Sequence, residues 1–338
     1  MQTTSVSLQN PLLSIVVPIY NTSQFLDECL ASILAQTYQN WEALLINDAS
    51  TDQSATICKA WVKKDARFKY HVLPRNGGLS EVRRCGMDLA IGDVIGSVDS
   101  DDFLLPNHFE TMIETMLDHD ADIVLCGFRK TYSDGRFRKN ALNMPEGFTW
   151  VHPDLLIEAY IDKRITGSIP NKIFRKGILE KDDFPTGRML YEDYAAIIHP
   201  IVRAKRATHT GLCTYCYRQV GSSITHSKTF KHYHDFCVLA SERYQYLGLC
   251  EKKRLITAEL KEKLLIFPKK AILEHFYYAM QRASTPDEKE QVALLGMQIQ
   301  TLGLLPIRRG FHVKMMWMSL HKRITEHRLR HLQSEFLK

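Results

Sequence analysis

Asp93-Val94-Ile95-Gly96-Ser97-Val98-Asp99-Ser100-Asp101-Asp102 is the stretch whose reading decides the fold. Its first half is an apolar run without the polar alternation of a half-wetted strand, which marks a strand buried on both faces of a parallel sheet. Its second half places three carboxylates within four positions, Asp99 to Asp102. In open α/β sheets the ligand crevice lies at the carboxyl ends of the strands, so these acids stand where a ligand would bind. Carboxylates this close repel one another. A hard divalent cation with oxygen ligands, partnered by substrate phosphates, would relieve them. The alternative is an N-cap with solvated acids opening the next helix, for which Leu105-Pro106 is a start signal. The stretch alone leaves both readings open.

Upstream, Leu13-Ser14-Ile15-Val16-Val17-Pro18 reads as a first strand, followed by Tyr20-Asn21 and a helix over residues 23–35 carrying Phe25, Leu26, Leu30, Ile33 and Leu34. Trp41-Glu42-Ala43-Leu44-Leu45-Ile46 is a second strand, ending in Asn47-Asp48-Ala49-Ser50-Thr51-Asp52. A helix with Ile57, Trp61 and Val62 follows, then a short strand near Phe68 to Leu73. Arg75-Asn76-Gly77-Gly78-Leu79-Ser80 turns the chain into another helix that stops at Gly92. Strands alternating with helices of this length predict an α/β fold with a doubly wound, mostly parallel sheet. Polar residues closing the first, second and fourth strands then meet along one edge.

Val16-Val17-Pro18-Ile19-Tyr20-Asn21, Asn47-Asp48-Ala49-Ser50-Thr51-Asp52, Gly78-Leu79-Ser80 with Arg83 and Gly86, and Asp99-Ser100-Asp101-Asp102 occur in the order and spacing of a known set. Over residues 11–225 the chain resembles glycosyltransferase family 2. The resemblance implies a GT-A fold, a nucleotide-sugar donor, a divalent cation (Mn²⁺ or Mg²⁺) and inversion at the anomeric carbon. It implies that Pro18 and Tyr20 line the base pocket and that Asp48 accepts the N3–H of a base, usually uracil in this family. Arg83 would reach the base and diphosphate region. Asp99 would hold ribose or a metal-bound water, Asp101 would ligate the metal, and Asp102 would stand behind them. The family usually carries Asn after that arginine; here Arg84 stands there, read as a surface residue in preference to a second diphosphate contact.

The chemistry also follows without the family. A diphosphate is too negative for carboxylates to approach except through a cation, which stabilises the charge growing on the leaving group. Displacement then needs a general base for the acceptor hydroxyl, remote from the metal. Met189-Leu190-Tyr191-Glu192-Asp193-Tyr194 offers one, although a charged first helical turn is an equally simple reading. By resemblance to the family's Glu-Asp motif, Asp193 is the expected base and Glu192 supports it or contacts the acceptor. Pro170-Asn171-Lys172-Ile173-Phe174-Arg175 resembles the segment that shapes the acceptor side. Tyr217-Arg218 with Ser222-Ser223-Ile224-Thr225 resembles a loop near the diphosphate, where the fork of Arg218 suits phosphate oxygens. His226 is a candidate to complete the metal shell.

At 338 residues with 45% hydrophobic content, the chain can bury one sizeable core and a smaller C-terminal unit. We expect a catalytic domain at residues 1–228 and a helical region at 229–338, with helices over Phe230 to Leu247, Lys252 to Met280, Glu288 to Leu302 and Ile307 to Leu332, punctuated by Pro268, Pro286 and Pro306. We expect no leader before the first strand, and no apolar run of this sequence approaches the ~20 residues of a spanning helix. Eight scattered cysteines suit a reducing compartment, so a cytoplasmic location is expected. Cys213-Thr214-Tyr215-Cys216 has no partner pair for zinc, and strand alternation separates its sulfurs. Residues 305–338 carry eight Lys and Arg against two acids, while residues 1–304 hold 36 of each, so the whole excess of +6 lies in the tail. Val313, Met316, Trp317, Leu320 and Ile324 form one stripe of a basic helix. It reads two ways: as a face lying on the anionic inner leaflet, residues 307–332 being the contact, or as a terminal helix packed on the protein.

The expected function is a metal-dependent inverting transfer from a nucleotide sugar, UDP being the expected nucleotide, to a saccharide or lipid-linked acceptor. The product would be a bacterial surface glycan such as lipooligosaccharide, capsule or exopolysaccharide; no nucleic-acid partner is expected. One alternative is an inactive nucleotide-sugar-binding module. Another is a nucleotidyltransferase of similar fold, which would show a Gly-rich basic first loop, and Pro18-Ile19-Tyr20-Asn21 is not that.

Overall fold

The computed structural model describes residues 10–132, 134–140, 149–150, 153–161, 165–186, 191–219, 229–253 and 255–302. The chain divides into two compact units, Met1–Ser223 and Ile224–Lys338. The first is built on strands β1 (Leu13–Ile19), β2 (Trp41–Asn47), β3 (Phe68–Val72), β4 (Val94–Ser97), β5 (Phe103–Leu104), β6 (Ile123–Thr131), β7 (Phe137–Asn140), β8 (Thr149–Trp150), β9 (Lys172–Arg175) and β10 (Ala207–Arg218). Helices α1 (Ser23–Leu34), α2 (Ser54–Lys64), α3 (Leu79–Leu89), α4 (His108–Asp118), α5 (Pro153–Ile161), α6 (Glu192–Ala196) and α7 (Ile198–Arg203) connect them.

The sheet runs β3-β2-β1-β4-β9-β6-β10-β5, with β7 on β6 and β8 on β10. The four strands β3, β2, β1 and β4 are parallel, with Ile19 opposite Asn47 and Val16 opposite Ser97. All seven residues of β1 and of β2 are buried, as expected of strands covered on both faces. Alternate residues serve different layers. Leu13, Ile15, Val17, Trp41, Ala43 and Leu45 join α1 and α4 in one core, whereas Val16, Leu44 and Ile46 meet Val82 of α3 in another. The period of two thus makes the sheet doubly wound. Departing from simple alternation, β9 enters antiparallel between β4 and β6. It carries Lys172 into the middle of the sheet.

Close approach of α3 to β1 depends on Gly86, where an added Cβ would fall 2.5 Å from Val16 Cγ1. That approach sets Arg83, one turn earlier, over the strand ends.

The second unit contains α8 (Phe230–Lys252), α9 (Ala258–Arg282) and α10 (Pro286–Thr301), joined by a core of Tyr233, Cys237, Ile272, Phe276, Val292, Leu295 and Ile299. Pro268 does not punctuate: α9 passes through it, against the sequence expectation. A mid-helix proline loses one backbone hydrogen bond, and burial of Leu264, Leu265, Ile272 and Phe276 on either side offsets that loss. Pro286 does act as a boundary, at the first turn of α10 behind the Thr285–Glu288 capping box. The expected helix Ile307 to Leu332 lies outside the described residues. Among the described residues no helix is long and apolar enough to cross a membrane.

Candidate active site

Three loops leave the carboxyl ends of β1, β2 and β4 and are tied together by side chains. Asn21, at φ 51°, receives the Thr51 N–H on its Oδ1 at 2.8 Å. Thr22 gives its N–H to Ser54 Oγ (3.2 Å) and its hydroxyl to Ser100 Oγ (2.9 Å), while its carbonyl accepts the first N–H groups of α1 from Phe25 and Leu26. Asp52 accepts from Ser23 N and Ser54 N, both at 2.9 Å. Burial raises its pKa, but the hydrogen bonds from Ser54 and Ser23 outweigh that and bring it down to about 2. These ties fix one edge along which the sequence-selected residues lie.

On the β2 side, buried Asp48 accepts the N–H of Gly77 at 2.7 Å and of Gly78 at 2.9 Å, one on each carboxylate oxygen. Gly78 adopts φ 82°, which favours glycine. Tyr20 stands 48% exposed just past β1, while Pro18 is buried within the strand. Asp48 and Tyr20 therefore border the same edge, but Asp48 is already oriented by the 77–78 turn.

On the β4 side the carboxylates diverge in partners. Asp102 is buried and accepts the Tyr215 hydroxyl at 2.7 Å and the Arg218 N–H at 2.8 Å. The Tyr215 oxygen in turn accepts Asp99 N at 3.2 Å. Arg218 donates through Nε to the Asp101 carbonyl (2.8 Å) and through Nη2 to Glu28 (2.6 Å), between the rings of Phe25 and Phe103. It braces the acidic loop from behind. Burial pushes Asp99 up to about 7, with Arg83 opposing and Asp193 and Asp101 adding to the rise. Asp101 is also raised by burial, its own backbone N–H and Arg218 opposing.

Arg83, 2% exposed, joins this cluster to the second carboxylate group. Its Nη2 lies 3.4 Å from Asp99 Oδ1 and its Nη1 lies 2.7 Å from Asp193 Oδ1, the latter a charge contact without hydrogen-bond alignment. Asp193 opens α6, just after Tyr191 at φ 62°, and its Oδ2 accepts the Ile169 N–H at 3.0 Å. Glu192 beside it is buried, which pushes it up to about 7, and Asp193 adds to the rise. The structure thus brings Asp99, Arg83, Asp193 and Glu192 together although they are far apart in sequence.

Arg84 does something neither sequence reading anticipated. It donates to the carbonyls of Lys181 (2.9 Å) and Phe184 (3.0 Å) and pairs with Asp182 at 3.1 Å. It clamps the 181–184 turn onto α3, Nη1 reaching both carbonyls and Nη2 the carboxylate, so it is not a free surface residue. Tyr215 was missed as a site residue, since its reach to Asp102 depends on the β10–β5 pairing of Tyr215 with Leu104. Cys213 and Cys216 are both buried in β10. His226 and residues 220–225 lie outside the described residues.

Asp99 and Asp101 supply hard oxygen donors of the type divalent cations take, and their raised pKa values mark carboxylates whose charge is incompletely offset by the chain. Among the described residues no group of three or more His, Cys, Asp or Glu is arranged to hold a metal. These two acids could supply part of the oxygen shell of a divalent cation, and among the described residues no third protein ligand completes it.

A family model described as glycosyl transferase family 2 matches residues 14–185, half of the chain. Glycosyltransferase GlyG of Streptococcus pneumoniae is 42% identical over 127 residues, 37% of this chain and 42% of GlyG. A putative teichuronic acid biosynthesis glycosyltransferase of Bacillus subtilis, TuaG, is 27% identical over 166 residues, 47% of this chain and 65% of TuaG. The chain thus spans under half the length of GlyG and under two thirds of TuaG. In fold, residues 1–349 of S. aureus TarS, solved in complex with UDP, superpose with a TM-score of 0.58 at 20% identity, covering 84% of this chain and 80% of that one.

Proposed function

The chain belongs to glycosyl transferase family 2, and from that premise we propose that it transfers a sugar from a UDP donor to a saccharide acceptor, with inversion, in the assembly of a surface polysaccharide. The observation that carries this reading is the arrangement around Arg83: crowded carboxylates Asp99 and Asp101 at one end, and Asp193 at the other. An inverting displacement needs those two functions on opposite sides of the reacting carbon. Asp48 and Tyr20 would take the base, and Asp99 the ribose. Asp101 and Asp99 would hold a divalent cation, Mn²⁺ or Mg²⁺, with His226 a further candidate ligand; bound there, such an ion stabilises charge on the departing diphosphate. Asp193 would accept the proton from the acceptor hydroxyl, and Glu192, buried beside it and pushed up to about 7, would support it or contact the acceptor.

UDP as the nucleotide is supported by TarS, which shares the fold and was solved with UDP. A polysaccharide product is supported by TuaG, named for teichuronic acid biosynthesis. Lipooligosaccharide, capsule and exopolysaccharide are the forms that this product would take, on a lipid-linked or free saccharide acceptor at the inner face of the membrane. The basic excess of residues 305–338 supports attachment there through residues 307–332; pelleting of the full chain with anionic but not neutral vesicles, lost on truncation at Leu305, checks it.

A donor panel tests the function. UDP release would be scored with UDP-glucose, UDP-galactose, UDP-N-acetylglucosamine and UDP-glucuronic acid, with Mn²⁺, with Mg²⁺ and with EDTA. Metal-dependent release from at least one donor is expected. No release from any of them overturns the reading, and equal release in EDTA removes the cation from it.

A further inference from the structure

Lys172 is 1% exposed, in the strand that enters the sheet antiparallel. A buried ammonium ordinarily needs an acid beside it. Here its Nζ donates to Thr166 Oγ1 (3.1 Å), the Ser168 carbonyl (2.5 Å) and Asn171 Oδ1 (2.8 Å). All three donations go to one turn, residues 166–171. Asn171 anchors the other side of that turn, giving Nδ2 to the Cys126 carbonyl of β6 at 2.7 Å and accepting from Ser168 Oγ at 2.9 Å. Burial pulls Lys172 down to about 7, with Asp193 and Cys126 opposing.

This turn touches the acceptor half of the site twice. The Ile169 N–H holds Asp193 Oδ2 at 3.0 Å. At Gly167 an added Cβ would fall 2.8 Å from Cε1 of Tyr194, so the tyrosine ring lies directly on the turn's backbone. Arg83 already occupies the other oxygen of Asp193. The direction of the remaining lone pairs is thus set by where Ile169 stands, and Ile169 stands where the Lys172 and Asn171 network puts it.

The geometry points to Lys172 as a positioning residue: through its hydrogen bonds to Thr166, Ser168 and Asn171 it fixes the turn whose Ile169 N–H aims the Asp193 carboxylate at the acceptor hydroxyl. This rests on Asp193 as the base. Small displacements of a catalytic group reduce rate steeply while leaving substrate binding elsewhere untouched, so Lys172 acts on turnover and not on the donor.

The test is a double-mutant cycle in the full chain with Lys172→Met and Asp193→Asn, using the fastest donor of the panel for turnover and UDP for binding. Lys172→Met should lower kcat by ~10-fold or more, with donor KM and UDP affinity within twofold of wild type; a misplaced group on this scale loses up to about 10²-fold. In the Asp193→Asn background the same substitution should lower the residual rate less than twofold, because there is no base left to aim. An unchanged kcat, a rise in donor KM of the same size, or an equal loss in both backgrounds overturns the inference. Where Lys172→Met does not fold, Thr166→Val decides by the same criteria, with a smaller loss of kcat that again vanishes in Asp193→Asn. If Asp193→Asn alone keeps wild-type turnover, the base assignment fails instead, and that outcome is distinguishable because it appears in the single variant.

Discussion

The acids that close β2 and β4 differ in what surrounds them. At the end of β2, Asp48 and Asp52 each receive two backbone N–H groups, from Gly77 and Gly78 and from Ser23 and Ser54. At the end of β4, Asp99 has one distant guanidinium contact at 3.4 Å, and burial first, then the carboxylates Asp193 and Asp101, raise it. Asp52 is brought down to about 2 and Asp99 is pushed up to about 7, although both follow strands that flank β1 in the same parallel sheet. The difference teaches that position at a strand end makes an acid available, while burial and the local supply of donors together decide whether it is structural or left for chemistry.

The strongest way to break that contrast is Asp101→Ala. On the proposed reading, transfer falls by ~10²-fold or more, the scale lost when a charge-stabilising group is removed, while the melting temperature holds or rises because one of three crowded carboxylates is gone. An active Asp101→Ala with unchanged metal dependence would equate the β4 acids with the β2 acids and dissolve the distinction.

Asp52→Ala should show the opposite pattern. Two part-buried backbone donors lose their acceptor, and a donor left unsatisfied costs about 1–3 kcal/mol at most, less where water reaches it. At roughly 2–4 °C per kcal/mol for a unit of this size, calorimetry should record a clear drop in Tm with kcat retained in the folded fraction. Loss of turnover at unchanged Tm would move Asp52 into the catalytic group.

The smallest effect is a slope of stability with pH. A carboxylate raised in the folded state binds its proton more tightly there than in the unfolded chain, where an Asp titrates near ~3.9, so Asp99 removes stability as pH rises from about 4 through its folded value near 7. Asp52, lowered in the folded state, contributes stability above ~3.9 that is lost as pH falls toward about 2. The difference in Tm between Asp99→Asn and wild type should therefore favour the variant and widen from pH 5 to pH 8. Added Mn²⁺ with UDP should stabilise wild type more at pH 8 than at pH 5. A pH-independent difference would mean that Asp99 is as well satisfied as Asp52.

The β1, β2 and β4 strands were legible because runs such as Ser14 to Pro18 and Val94 to Val98 are too apolar to be wet on either face. The acidic loop after Val98 was legible because its crowding is local. Arg84 was not, since its partners Lys181 and Phe184 come from a turn about a hundred residues later. Tyr215 was equally hidden, its hydroxyl meeting Asp102 only after β10 pairs with β5. Lys172 could be noticed as a pattern, but a lysine in a sequence is ordinarily a solvated charge, and only the antiparallel entry of β9 makes it a buried one.

By itself, then, the sequence determined the alternation of strands and helices, the family, and the acids at the strand ends, because hydrophobic period and local charge density are properties of neighbouring residues. Only the tertiary structure decided that Arg83 stands between Asp99 and Asp193, that Arg84 clamps a turn, and that Lys172 holds the turn under Asp193. Those are pairings between distant segments, and no short-range pattern carries them, since their geometry is set by the packing of α3 on β1 and the order of strands in the sheet.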